Sequence, residues 1–344
     1  MTTTVDLPTE VPGCPKHMVY GPCGGVQFDG GCEVGDHACT FLGRELPHWP
    51  SDGAGAWPTR TAGGAAMADR LSTGGVVVAD FPARALDVDS LRGCASVLLG
   101  SVDAVLVGDS GSSRVQFPPA HRALLISELG LPVWAGLNCR DRNRVALEGE
   151  IAALASLSVA GVHCVTGDHT DTGHRPDAAP VFDLDSTRLA ALARRQGHLV
   201  SVGESPATPP LSARPGRLGQ KVRAGADVCF VNHCGGAEVV ADFVAALPPA
   251  QRPGAYIACV PVVVDVPSAA LLASFPSLVL PPGYLDRILT ADDPCAEGIR
   301  AAIDLSEQML AIPGVRGVNL SGGPAQGGEV HFAGALAEIG AALR

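Results

Sequence analysis

Residues 131–168, LPVWAGLNCRDRNRVALEGEIAALASLSVAGVHCVTGD, read as a strand, a long helix and a second strand. Val145, Ala146, Ile151, Ala152, Leu154, Ala155, Leu157 and Val159 recur at helical spacing, and Gly161 reads as the helix stop. The first apolar run closes in Asn138, Cys139 and Arg140, the second in Thr166, Gly167 and Asp168. Such a βαβ unit joins parallel strands and presents its chemistry at their carboxyl edge.

The alternation continues on both sides. Strand patterns fall at 76–80, 104–109, 132–138, 162–168, 199–204, 227–232, 256–260 and 315–320, with helical patterns between them. Eight such strands over residues 71–344 predict an α/β (β/α)8 TIM barrel. An open doubly wound sheet is the alternative, but no GxGxxG follows a first strand. Polar residues close seven of the eight runs: Asp80, Asp109, Asn138, Asp168, Glu204, Asn232 and Asn319. Four carboxylates converging on one cavity repel unless they share protons or meet a cation, which makes this rim the candidate site.

Residues 1–45 are of another kind. Cys14, Cys23, Cys32 and Cys39 stand in a stretch rich in Gly and Pro with few core-forming side chains. Such a segment needs a staple, and four thiolates suit tetrahedral zinc, with an iron–sulfur centre or unligated thiols as alternatives. Residues 46–70 read as a linker. The chain has 344 residues, 47% of them hydrophobic, with 35 acidic against 24 basic side chains and a net charge of −11. This balance, without a basic run, argues against nucleic acid. Eleven cysteines, most within apolar patterns, suit a reducing, cytoplasmic setting. The N-terminal residues show no signal-peptide pattern, and no apolar run is long enough to span a membrane.

The motifs also carry a resemblance. NCRDRN (138–143), VTGD (165–168), VFDLDS (181–186), KVRAGADVCFVN (221–232) and GVRGVNL (314–320) are similar in order and spacing, over about 76–343, to the methylenetetrahydrofolate reductase family. The cysteine-rich stretch separately resembles the methylenetetrahydrofolate reductase C-terminal domain, placed here before the barrel. The resemblance implies a barrel that binds FAD, takes hydride from NADH or NADPH and reduces 5,10-methylenetetrahydrofolate to 5-methyltetrahydrofolate. It makes Asp80 the proton donor and Asp168 the carboxylate that faces the pterin. It assigns Lys221 to the FAD phosphates and Asn232 to the pterin, and Thr166, Gly167, Asp168 and Asp185 join the cofactor set. Asp109, Asn138 and Glu204 complete the expected substrate rim.

Departures from the family pattern bear on the chemistry. Asp80, in ADFPAR, is one methylene shorter than the family's Glu. Gly136 stands where a flavin contact is usual, and Arg214 where an Asp often binds the FAD ribose. His233 and Glu204 are spare acids nearby. Three functions are consistent with these residues: a reductase, a folate-dependent one-carbon transferase using the same iminium without hydride transfer, and a non-catalytic folate-binding partner of another one-carbon enzyme. Expected partners are a folate, and a one-carbon protein or a second copy of the chain.

Overall fold

The computed structural model describes residues 10–50, 57–109, 113–275 and 277–344. Eight parallel strands close a barrel: β1 (Val76–Asp80), β2 (Ala104–Val107), β3 (Val133–Asn138), β4 (Gly161–Val165), β5 (Val200–Glu204), β6 (Val228–Val231), β7 (Ala255–Pro261) and β8 (Val315–Ser321). Closure pairs the first and last strands, with Val78 opposite Asn319. The predicted strands are all present. The predicted β2, β4 and β6 run past the observed ends, because Asp109, Asp168 and Asn232 lie in the loops beyond.

Helices wrap the outside, and the main core lies between them and the outward strand faces. A second, smaller core fills the barrel interior with Val76, Val78, Trp134, Leu199, Phe230 and Ile257. Trp134 donates its indole N–H to Ser201 Oγ at 2.8 Å, and His163 Nδ1 lies 2.9 Å from the same oxygen. Burial pushes the His163 imidazole down to about 3, so it is neutral.

Two local readings are corrected. Gly161 does not stop the helix, which runs Arg144–Ser156 and ends at Leu157; it is the first residue of β4, where a Cβ would meet the Trp134 ring at 2.5 Å. The stretch read as linker ends in a helix, Ala62–Thr73, capped by the Thr61 side chain. Met67 and Leu71 of that helix pack against the first residues of several strands and close the floor of the barrel. Among the described residues no helix is long and apolar enough to cross a membrane.

From residue 10 on, the described part of the N-terminal segment is built of turns and one isolated bridge, Gly31–Ala38. It docks against helices Ser186–Arg195 and Arg214–Arg223. Val19, Tyr20 and Trp49 pack there on Ala191 and Ala224. The docking bonds reach the segment's backbone: Val19 and Tyr20 N–H donate to Asp185, Trp49 N–H to Gln220 Oε1, and Arg214 donates to the Cys23 carbonyl at 2.9 Å.

Candidate active site

The carboxyl ends of the strands open into two adjoining compartments. The larger, about 720 Å³, extends from Asp80 and the 81–87 loop past Asp109, Arg122 and Asn232 to Phe275 and Gly322. The smaller, about 440 Å³, lies between the rim and the N-terminal segment, bordered by Lys16, Cys23, Thr166, Asp168 and Arg217. Ser205, Asn232, Phe275 and Ser277 border both.

Asp80 faces inward at the end of β1, in step with Val76 and Val78. Across the barrel seam β8 supplies its partners: Asn319 Nδ2 donates to one carboxylate oxygen at 2.9 Å and Ser321 Oγ to the other at 2.8 Å. Removal from water pushes the carboxyl's pKa up, against these bonds and one from the Gly322 N–H. A carboxyl raised in this way and open to a cleft has the chemistry of a proton donor.

Asp109 and Asn138 come together. The Asn138 amide lies 2.8 and 3.0 Å from the two Asp109 oxygens, and Arg140 adds a bond at 2.9 Å. Asp109 thus lines the larger compartment as a fixed acceptor, with Asn138 beneath it as its positioner. Asp168 stands apart in the smaller compartment, with its side chain 62% exposed and 3.3 Å from Arg114. The bend before it requires glycine: Gly167 has φ +89, and a Cβ there would fall 3.0 Å from that of Asn138. Thr166 is turned away, its hydroxyl accepting the Ser186 N–H at 3.2 Å. Asn232 sits where the compartments meet, and its amide donates to Ser205 Oγ at 2.9 Å.

Glu204 borders the smaller compartment but points away from the barrel interior. Val200 and Val202 of β5 belong to the outer core, and Glu204 shares their side of the strand. It is buried in an ion-pair network, 2.9 Å from Lys221 Nζ and 3.3 Å from Arg214 Nη1. Burial alone would raise its pKa, but Lys221, Arg214 and Arg217 outweigh it and hold the carboxyl below the usual range. His233 lines the larger compartment with an unbonded Nε2, and burial lowers its pKa to about 4, so it is no acid at neutral pH.

The residues assigned to FAD are engaged elsewhere. Lys221 is bonded to Glu204 and, at 2.5 Å, to the Gly203 carbonyl. Asp185 caps helix Ser186–Arg195 with one oxygen and takes the Val19 and Tyr20 N–H groups with the other. A dinucleotide's diphosphate needs a free cation or free N–H groups, and as folded this pair offers it neither. Asp185 is taken up by the docked segment and Lys221 by the barrel's own Glu204 and Gly203, so as folded they do not fit FAD.

The four cysteines do converge. Cys14, Cys23, Cys32 and Cys39 line one small cavity of about 20 Å³ with Lys16, Glu33 and His37, and none is in a disulfide. Burial raises the Cys23 thiol to about 11. The donor set suits zinc, with the buried Lys16 ammonium beside it to balance thiolate charge. Among the described residues, however, no three ligand side chains stand in a metal-binding arrangement.

Comparison with known proteins separates the two parts of the chain. Residues 8–44 match the family model described as methylene-tetrahydrofolate reductase C terminal. The match lies within the cysteine-rich segment. A search of curated proteins finds no match for the chain. An uncharacterized protein from Clostridium thermocellum that binds two copies of 5-methyl-5,6,7,8-tetrahydrofolic acid is similar in structure, with TM-score 0.57 and 10% identity over 79% of this chain and 98% of that one. Oxaloacetate acetylhydrolase (TM-score 0.48, 15% identity, 76% and 81% of the two chains) and 2,3-dimethylmalate lyase (0.46, 16%, 76% and 80%) also align. At these identities the shared property of the barrel is the fold.

Arg122, on helix Pro119–Ser127, and Phe275, in the loop after helix Val266–Ala273, carry no strand-end or motif signal, and only the folded chain brings them to the site. His163 and Ser201 were hidden inside strands read as continuous apolar runs.

Proposed function

We propose that the chain binds 5,10-methylenetetrahydrofolate across the junction of the two compartments and reduces it to 5-methyltetrahydrofolate with hydride from NADH or NADPH. The observation that carries this reading is Asp80, a carboxyl of raised pKa held by Asn319 and Ser321 at the edge of a large cleft, in a chain whose first domain matches a reductase domain. Opening the bridged ring requires a proton on N10 and leaves a cationic N5 iminium. Asp80 gives that proton and becomes a carboxylate beside the cation. Hydride then adds to the methylene carbon, and water returns a proton to Asp80. Asn232, at the junction, has the amide chemistry to hold the pterin edge, and Asp168 supplies negative charge from the second compartment. Zinc on Cys14, Cys23, Cys32 and Cys39 would hold the segment in shape and so maintain that compartment's outer wall.

One observation favours a second reading. With Lys221 engaged by Glu204 and the Gly203 carbonyl and Asp185 by the segment, neither is free for a flavin, and the iminium is equally suited to capture by a carbon or sulfur nucleophile. That would make the chain a one-carbon transferase. Product analysis separates the two. Purified full-length chain with methylenetetrahydrofolate and NADH or NADPH is expected to form 5-methyltetrahydrofolate and oxidise the nucleotide in equal amounts. Folate binding without nucleotide oxidation would overturn the reductase reading, and absence of folate binding would overturn both.

A further inference from the structure

Two guanidinium groups line the larger compartment, and they are balanced differently. Arg84 is gripped by the Glu329 carboxylate through Nε and Nη2, each at 3.1 Å, and by Asp87 at 3.1 Å. Arg122 has no such partner. It rises from helix Pro119–Ser127 and leans back over the end of β2. Nη1 donates to Gln116 Oε1, Nη2 reaches the Val107 carbonyl at a loose 3.4 Å, and Nε has no acceptor among the described residues. All these acceptors are neutral. Of the two carboxylates whose charge reaches it, Asp109 is already held by Asn138 and Arg140, and Glu150 accepts the Ala120 N–H. Burial lowers the Arg122 pKa to about 10, with Asp109 and Glu150 opposing only in part and Arg142 adding to it, so the group still carries its full charge at neutral pH. A half-buried guanidinium without a counterion is costly unless a ligand supplies one. It also sits in the first turn of its helix, where a cation opposes the dipole and a bound anion would relieve it.

We infer that Arg122 anchors a carboxylate of the bound ligand. On the folate reading above, on which this identification rests, that group is a glutamate-tail carboxylate of tetrahydrofolate, since the tail carries the molecule's negative charge. The guanidinium fork suits a carboxylate, and among the described residues no protein carboxylate pairs with Arg122. Arg122 is therefore a specificity residue for folates over free pterins and takes no part in moving the proton or hydride.

The test uses the full chain and three probes, tetrahydrofolate, the tail-less 6-methyltetrahydropterin and NADPH, titrated by calorimetry against wild type, Arg122→Met and Arg122→Lys. Arg122→Met is expected to weaken tetrahydrofolate by about ten- to a hundredfold, the worth of a charge-assisted bond. It should leave the pterin unchanged, with Arg122→Lys recovering part of the loss and all three proteins melting alike. Equal weakening of tetrahydrofolate and the pterin, or of neither, overturns the anchor while leaving the folate reading in place. Weakening of NADPH alone also overturns it, because the anion would then be a nucleotide phosphate. A wild type that binds neither tetrahydrofolate nor the pterin overturns the folate reading and the anchor together.

Discussion

Replacing Asp80 with Asn separates its chemistry from its packing. The amide keeps the carboxylate's shape. Its oxygen can still accept from Asn319, and the Ser321 hydroxyl can turn to accept from the new NH2, so the Gly322 N–H is the main partner lost. The change in folding stability should stay within about 1 kcal/mol. Its sign depends on pH. Asp80 has a folded pKa raised above the unfolded value of about 3.9, so its favourable contribution is complete below that pH and is lost as pH rises through the folded pKa. Near neutral pH the variant should melt at or slightly above wild type, and the wild-type advantage should appear only in acid. Activity should respond oppositely. A positioned proton donor contributes roughly 10²- to 10⁴-fold, about 3–5.5 kcal/mol of barrier, and the amide has no proton to give. The assay is kcat/KM for methylenetetrahydrofolate-dependent oxidation of NADH or NADPH across pH, with thermal melts in the same buffers. Wild-type rate should fall as pH rises through the Asp80 pKa, and that limb should be missing in the variant. If Asp80→Asn keeps more than about a tenth of the activity, or loses it only in step with unfolding, Asp80 is not the acid.

Three further outcomes are expected. Lys221→Met leaves the buried Glu204 with Arg214 at 3.3 Å and should cost about 3 kcal/mol in denaturant melts; Glu204's contribution is present above about pH 4.3 and lost as pH falls through its lowered pKa, so the variant should also show a shallower acid limb. Metal analysis of the full chain should find about one zinc per molecule, lost with Cys32→Ser, and a wild type without metal would sink the staple. Gly161→Ala drives a methyl into the Trp134 ring and should destabilise by about 1–3 kcal/mol, with Gly161→Ala/Trp134→Phe recovering part of it; an unchanged melting temperature would show that the floor of the barrel is loosely packed.

The barrel was legible because its strands are short apolar runs between helical patterns, yet the same runs concealed which way each side chain points. Strands buried on both faces show no alternation to read. Asp80 and Glu204 therefore looked equivalent as strand ends, although one lies on the inner side of the barrel wall with Val76 and Val78 and the other on the outer side with Val200 and Val202. The pairing of Asp80 with Asn319 was also out of reach from local pattern, since it depends on closure bringing β1 against β8 across 239 positions.

The docking of the N-terminal segment did leave a trace in the sequence, in the helix RPGRLGQKVR, 214–223. Arg214, Arg217, Gln220 and Lys221 are all buried, more polar groups than a barrel helix can satisfy against an apolar strand face. Buried cations need acceptors, and Glu204 alone cannot serve three. The barrel's own loop gives Arg214 the Thr208 and Pro209 carbonyls, and Gly203 serves Lys221; the segment adds main-chain carbonyls, Pro22 for Arg217 and Cys23 for Arg214, beside the hydroxyls of Ser186 and Thr187. A segment with little core of its own and unpaired carbonyls to offer is the complement that this helix lacks. Each part completes the hydrogen bonding of the other, so the cysteine-rich domain and the barrel rim are expected to fold as one unit.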